Sequence, residues 1–209
     1  MSLSRLAAFA VWITAAAAGA AEPSGELARV AALLRDGRSH TADFIQKFTP
    51  AGFHQSREER GTVTVQAPEN VRFDYRDPQK KVFAFDGKTA AFFAPAEKQM
   101  TVRHLTPEDR GELPLVFLDT PEELGRNYTI QARSEGPVTV VDLVPRRTDT
   151  DVVRIRLKIS AGLPLALEFE TAGGDRTAFE FRDFRAGPPR PAAEFALRPP
   201  AGTRVVPAD

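Results

Sequence analysis

The stretch from Gly61 to Leu105 constrains the fold most strongly, because apolar and polar residues alternate in it between short turn segments. Alternation with a period of two is typical of β-strands that bury one face. The dipeptide Asp86-Gly87 stands between two apolar runs and is a strong hairpin signal. The pattern predicts an antiparallel meander with strands at 61–67, 71–76, 80–86, 89–94 and 98–105.

One face of this meander carries large apolar side chains. Val71, Phe73 and Tyr75 share one face of their strand, and Arg72 lies on the other. Two later strands are apolar on both faces, so they either separate two layers of core or border an apolar cavity, and the pattern leaves both interpretations open. It also leaves open which face of the 80–94 strands would line a cavity. The predicted cavity walls are Val71, Phe73, Tyr75, Phe83, Phe85, Phe92, Leu157, Phe169, Phe179 and Phe181.

Helical segments stand before and after the meander. Leu27, Val30 and Leu34 follow helical spacing and predict a short amphipathic helix. The segments 113–119 and 121–125 are too short to form stable isolated helices, so we expect them to lie with their apolar side against the sheet. They either close a core or form a lid over a cavity, and the predicted lid residues are Leu115, Phe117 and Leu118.

The strand pattern resumes after these segments. Further strands are predicted at 127–133, 138–144, 152–159, 164–171 and 176–184, followed by a Pro-rich linker at 185–191 and an extended tail at 194–206. Ten to eleven strands with an N-terminal helix and short lid helices predict a mainly β (α+β) fold, an incomplete and strongly curved antiparallel barrel. Because the strand pattern is alike before and after the central helices, we predict a single domain at 21–209.

The first twenty residues have the form of a secretory signal peptide. Arg5 precedes an apolar run, and Ala18-Gly19-Ala20 provides a small-x-small cleavage site. The alternative of a membrane anchor needs about 20 apolar residues, and this run is shorter. The sequence therefore predicts a signal peptide at 1–20 and export to the periplasm.

Composition argues against several classes of function. The chain has 28 basic and 28 acidic residues, whereas nucleic-acid-binding proteins normally carry a basic excess. It has no cysteine, which removes disulfides, thiolate metal sites and a lipid-anchoring thiol. His40, His54 and His104 stand far apart without the spacing of metal ligands. We expect no enzyme activity, no cofactor, no metal and no nucleic-acid partner.

Several short motifs occur in a characteristic order. They are Phe44-Ile-Gln-Lys47, Gly61-Thr-Val-Thr-Val65, Pro68, Arg72-Phe-Asp-Tyr75, Asp86-Gly-Lys-Thr89, Phe92-Phe-Ala-Pro95 and Phe195-Ala-Leu-Arg-Pro-Pro-Ala-Gly202. In this order they resemble the periplasmic outer-membrane lipoprotein carriers of the LolA family, over essentially the whole chain that follows the signal peptide. The resemblance implies an incomplete antiparallel barrel with a helical lid.

The same resemblance implies a carrier function. The cavity would take the acyl chains of outer-membrane lipoproteins released by an inner-membrane ABC transporter. The carrier, a monomer, would pass them to an outer-membrane receptor.

One position departs from the family. LolA proteins typically place an arginine before the proline that corresponds to Pro68, and that arginine helps to hold the lid closed. Here the residue is Ala67, which is predicted to face inward and to leave a more apolar, less gated pocket. A carrier of a different lipid and an envelope lipid sensor or interaction domain therefore stay open as alternatives.

Overall fold

Twelve strands form one sheet in the computed structural model, which describes residues 23–106 and 116–208. Their order across the sheet is β12-β6-β5-β4-β3-β2-β1-β11-β10-β9-β8-β7, so the described sheet is open, with β12 and β7 at its edges. The strands are β1 (Ser39–Thr49), β2 (Arg57–Gln66), β3 (Asn70–Asp77), β4 (Lys81–Asp86), β5 (Thr89–Ala94), β6 (Gln99–His104), β7 (Tyr128–Glu135), β8 (Val138–Pro145), β9 (Val152–Ser160), β10 (Leu163–Thr171), β11 (Arg176–Gly187) and β12 (Arg204–Pro207). The predicted mainly β fold with an open antiparallel sheet is confirmed, and the predicted signal peptide lies outside the described residues.

Three details differ from the sequence-based expectation. β2 begins at Arg57, four residues before the predicted start at position 61, because its charged start pairs with the end of β1. β11 continues to Gly187, through part of the predicted linker, because a bulge lets it stay paired with β1 as far as Ser39. The tail adds a twelfth strand, β12, which runs parallel to β6, whereas every other neighbouring pair is antiparallel.

Two short helices and a 3₁₀ turn pack on the inner face of the sheet. Helix α1 (Pro23–Leu34) lies against β7 to β10 and buries Leu27, Val30 and Leu34. The 3₁₀ turn Val116–Leu118 and helix α2 (Pro121–Asn127) follow β6, and we call residues 116–127 the lid. No helix among the described residues is long and apolar enough to cross a membrane.

The opposite, outer face of β3 to β5 is covered by the C-terminal tail. Arg72 donates a hydrogen bond of 2.7 Å from its guanidinium to the main-chain carbonyl of Glu194. The next residue, Phe195, is only 1% exposed, and Ala84 and Ala91, in the same row of the sheet as Arg72, are buried as well. The strands that are apolar on both faces therefore have the inner core on one side and this tail on the other.

Candidate ligand-binding face

Strand pairing brings the predicted wall residues of the meander onto one surface. Phe85 pairs with Val71, Phe83 pairs with Phe73, and Phe92 pairs with Phe83. Residues that are directly opposite in paired strands share a face. The face of β4 and β5 that the pattern could not assign is therefore the one with Phe83, Phe85 and Phe92. Phe92 is 37% exposed, whereas Phe85 is buried.

An aromatic cluster occupies the middle of this inner face. The centroid of the Phe44 ring lies 5.3 Å from that of Phe73, 5.0 Å from Tyr75 and 5.8 Å from Phe179. The first two contacts are edge-to-face, which is a favoured arrangement of aromatic rings. Phe44 was not among the predicted site residues, although its alternation with Ala42 in β1 was a visible signal.

Strands β9 to β11 supply the other half of the inner face. Leu167 pairs with both Phe179 and Leu157, and Phe181 pairs with Phe44. Leu157, Phe179 and Phe181 are buried, whereas Phe169 is half-buried beside Ile155. The predicted wall residues of these strands therefore lie on the same surface as those of the meander.

The lid places two predicted residues against this surface. Phe117 and Leu118 are 7% and 6% exposed and belong to the same apolar cluster as Phe73 and Phe179, whereas Leu115 lies outside the described residues. Two of the voids lined by described residues lie between the helices and the sheet, measure about 20 and 10 Å³, and border Phe117. A void of about 10–15 Å³ holds a single water molecule, and ligand pockets measure about 300–1,000 Å³. An acyl chain that enters at either of these two voids therefore has to displace Phe117.

Ala67 lies in the turn that follows β2, since the strand ends at Gln66. Its side chain is half-buried and packs against the inner cluster. The methyl group of alanine offers no hydrogen bond to the lid. Any polar contact that holds the lid must therefore come from another residue.

Polar side chains mark one end of the aromatic surface. The hydroxyl group of Tyr75 donates a 2.6 Å hydrogen bond to Gln46, and burial, with a contribution from the Glu59 carboxylate, raises the pKa of Tyr75. The ammonium group of Lys81 lies 4.6 Å from the centre of the Tyr75 ring and 5.7 Å from that of Phe92. It also binds both oxygens of Glu59, at 2.6 and 2.7 Å. The apolar surface thus ends at groups suited to the polar part of an amphiphile.

Side chains that could together hold a metal ion do not converge in the described part of the chain. No three histidine or carboxylate side chains there come together in a way that could hold a metal ion. His40 is buried in β1 and bonds to Asp36 at 2.9 Å. That hydrogen bond holds the pKa of Asp36 well below its usual range. We interpret this pair as a structural link between the end of α1 and the start of β1.

Comparison with known proteins gives a consistent result. Residues 36–198 match the family described as outer membrane lipoprotein carrier protein LolA. The outer-membrane lipoprotein carrier protein of Dechloromonas aromatica (strain RCB) is 28% identical over 174 residues, which cover 83% of each chain. That of Chromobacterium violaceum is 27% identical over 198 residues, which cover 93% of this chain and 95% of the relative.

Solved structures resemble the fold at low sequence identity. An uncharacterized conserved protein from Thermus thermophilus superposes with a TM-score of 0.52 at 11% identity, over 90% of this chain and 100% of its own. MucB superposes with a TM-score of 0.50 at 20% identity, over 90% of this chain and 66% of its own. At such identities the likeness concerns the fold alone.

Proposed function

The chain belongs to the LolA family of outer membrane lipoprotein carrier proteins, and from this premise we propose that it carries acylated lipoproteins through the periplasm. The acyl chains would lie on the inner face, where Phe73, Phe83 and Phe179 meet. The lid and α1 would cover them during transfer. The observation that carries the proposal is this aromatic surface, continuous over β3, β1 and β11, which in the described part of the chain forms one apolar cluster with α1, the 3₁₀ turn and α2.

Physical chemistry favours such a surface for a carrier. Each buried methylene contributes about 0.8 kcal/mol, so a free acyl chain does not cross water readily. Apolar contacts are non-directional, and they let a chain slide in and out without breaking specific hydrogen bonds. The polar end at Gln46, Tyr75 and Lys81 would contact the part of the cargo where the acyl chains join the polar group.

The route of transfer is part of the same proposal. By resemblance to its family, the protein would receive its cargo from an inner-membrane lipoprotein-releasing ABC transporter and deliver it to an outer-membrane receptor. It would act as an exported monomer without a cofactor. In support, the two relatives described above are both named outer-membrane lipoprotein carrier proteins, and each is similar to this chain over most of its length.

Mass spectrometry of the protein purified under native conditions from the periplasm of its host tests the proposed cargo. We expect diacylated or triacylated lipoproteins to co-purify. The variant Phe92→Glu should lose them, because it places a charge on the exposed part of the inner face. The matched variant Phe53→Glu, in the β1–β2 hairpin where Phe53 is 67% exposed, should retain them. A free lipid or pigment in place of lipoproteins would overturn the proposed cargo.

A further inference from the structure

Arg35 connects α1 to the lid through two hydrogen bonds. It follows the last residue of α1, and its main-chain N–H closes the last helical turn on Ala31 at 3.1 Å. Its guanidinium donates from both terminal nitrogens to the main-chain carbonyl of Leu118, at 2.8 and 2.6 Å. One of these nitrogens also lies 3.8 Å from the carboxylate of Glu123 in α2.

The carbonyl of Leu118 needs a donor that the lid backbone does not supply. A 3₁₀ turn of three residues leaves its last carbonyls without helical partners, and among the described residues this turn accepts a backbone hydrogen bond at Val116, from the N–H of Asp119. The Leu118 side chain is buried in the inner cluster. The Arg35 contact therefore fixes the backbone of a residue whose side chain covers the candidate ligand-binding face.

The other end of α1 is fastened to the sheet. Glu26 is 4% exposed, and its carboxylate accepts a hydrogen bond of 2.8 Å from the N–H of Gly162. Gly162 lies in the β9–β10 turn with a φ of +75°, a conformation that favours glycine. The carboxylate of Glu26 also pairs with Arg29. Helix α1 is thus joined to the β9–β10 hairpin, and Arg35 joins the lid to α1.

From this arrangement we propose that Arg35 is the positioning residue that holds the lid over the inner face and sets how fast an acyl chain enters. The inference rests on the proposed function. Ala67 cannot perform this task because it has no donor, whereas a guanidinium that binds one carbonyl twice holds a defined position. Opening would break the contacts of Arg35 with Leu118 and Glu123 and leave α1 attached to the sheet through Glu26.

Two measurements on the full mature chain test this role. The first is hydrogen exchange of the amides in residues 116–127 without ligand. The second is the association rate of a fluorescent fatty acid in stopped-flow experiments. Arg35→Ala should speed lid exchange and fatty-acid association on the order of tenfold, with unchanged exchange in β1 and β11. For Arg35→Lys, both rates should lie between those of the wild-type protein and those of Arg35→Ala, because an ammonium group donates to the carbonyl without the fork geometry of a guanidinium.

Arg38→Ala is the matched control, since Arg38 lies three residues further on and pairs with Asp36 rather than with the lid. It should leave both rates unchanged. Unchanged lid exchange in Arg35→Ala would overturn the inference. So would faster exchange throughout the sheet together with slower association, because that result indicates general destabilisation. If the wild-type protein binds no fatty acid, the proposed function fails, while lid exchange still decides whether Arg35 holds the lid.

Discussion

The ring of Phe44 occupies space that Gly61, its partner on the neighbouring strand, leaves free. A Cβ atom at Gly61 would lie 2.9 Å from Cε1 of Phe44 and 2.1 Å from the carbonyl oxygen of Asp74. Both distances are shorter than a normal van der Waals contact, and the second is to a main-chain atom, which cannot move aside as a side chain can. The close approach of β1, β2 and β3 at this point therefore depends on the absence of a side chain, and it places Phe44 against Phe73 and Tyr75.

Gly61→Ala is expected to disturb the aromatic cluster. The added methyl group forces β3 away or turns the Phe44 ring, and such overpacking costs about 1–3 kcal/mol. Thermal unfolding should show the loss, and aromatic NMR signals of Phe44 and Tyr75 should shift. Gly173→Ala is a suitable control, because a Cβ at Gly173 would meet nothing closer than 3.7 Å. Equal stability of the two variants would contradict the proposed packing.

Phe117→Ala should make the protein less stable and a better binder. Removing the ring that borders both voids would join them, at a cost of about 3–5 kcal/mol in the free energy of unfolding. The enlarged space should raise the affinity for a fluorescent fatty acid in an equilibrium titration. Leu124→Ala serves as control, because Leu124 is buried yet borders only the smaller void. Weaker binding by Phe117→Ala than by Leu124→Ala would refute the entry of chains between lid and sheet.

The lid is expected to weaken in acid through Glu123. Its carboxylate accepts a 2.7 Å hydrogen bond from the N–H of Thr120, and Thr120 Oγ1 accepts from the N–H of Glu123, which together form a capping box. The Thr120 N–H is the main cause that lowers the pKa of Glu123 from its ordinary value of 4.5, with Arg35 and Arg126 adding to it and burial opposing it. A carboxylate with a lowered folded-state pKa stabilises above its unfolded pKa.

This contribution should disappear as the pH falls below the ordinary pKa and through the folded one. Hydrogen exchange of residues 121–127 should therefore accelerate below about pH 4 in the wild-type protein, relative to exchange in β1. Glu123→Gln keeps an acceptor for the Thr120 N–H but does not titrate. In this variant the ratio of the exchange rate of residues 121–127 to that of β1 should stay constant over the same pH range. An identical acid response of both proteins would exclude Glu123 as the titrating group.

Phe195→Ala should destabilise the sheet from its outer side. A fully buried phenylalanine contributes about 3–5 kcal/mol, and its loss would also uncover Ala84 and Ala91. Denaturant unfolding measures the cost, and Leu197→Ala, at a half-buried position in the same tail, should cost less. If fatty-acid affinity is unchanged in Phe195→Ala, the outer tail and the inner face are separate in function, as we expect.

Local pattern was sufficient to predict most of this fold. Alternation located the strands from β3 to β10 within a few residues, because each strand buries one face and its turn residues lie close by in sequence. Because successive residues of a strand point to opposite faces, odd and even positions alone placed Val71, Phe73 and Tyr75 on one face and Arg72 on the other. These predictions need no knowledge of distant contacts.

Other features depend on contacts between segments that are far apart in sequence. The parallel pairing of β12 with β6 joins residues about a hundred positions apart, and nothing within either segment indicates it. The outer side of β4 is apolar because the tail that contains Phe195 packs there. The assignment of Phe83 and Phe92 to the inner face follows from the register of the paired strands. The link from Arg35 to Leu118 spans 83 residues, so an arginine at a helix end gave no sequence signal for it.

Site-specific photo-crosslinking in living cells tests the central claim, that the inner face binds acylated lipoproteins, most directly. A photoreactive phenylalanine derivative would replace Phe92 on the inner face or, as a matched control, Phe53 in the β1–β2 hairpin. We predict light-dependent adducts with acylated lipoproteins from position 92 and none from position 53. Adducts of equal amount from both positions, or none from position 92 while lipoproteins still reach the outer membrane, would contradict the account.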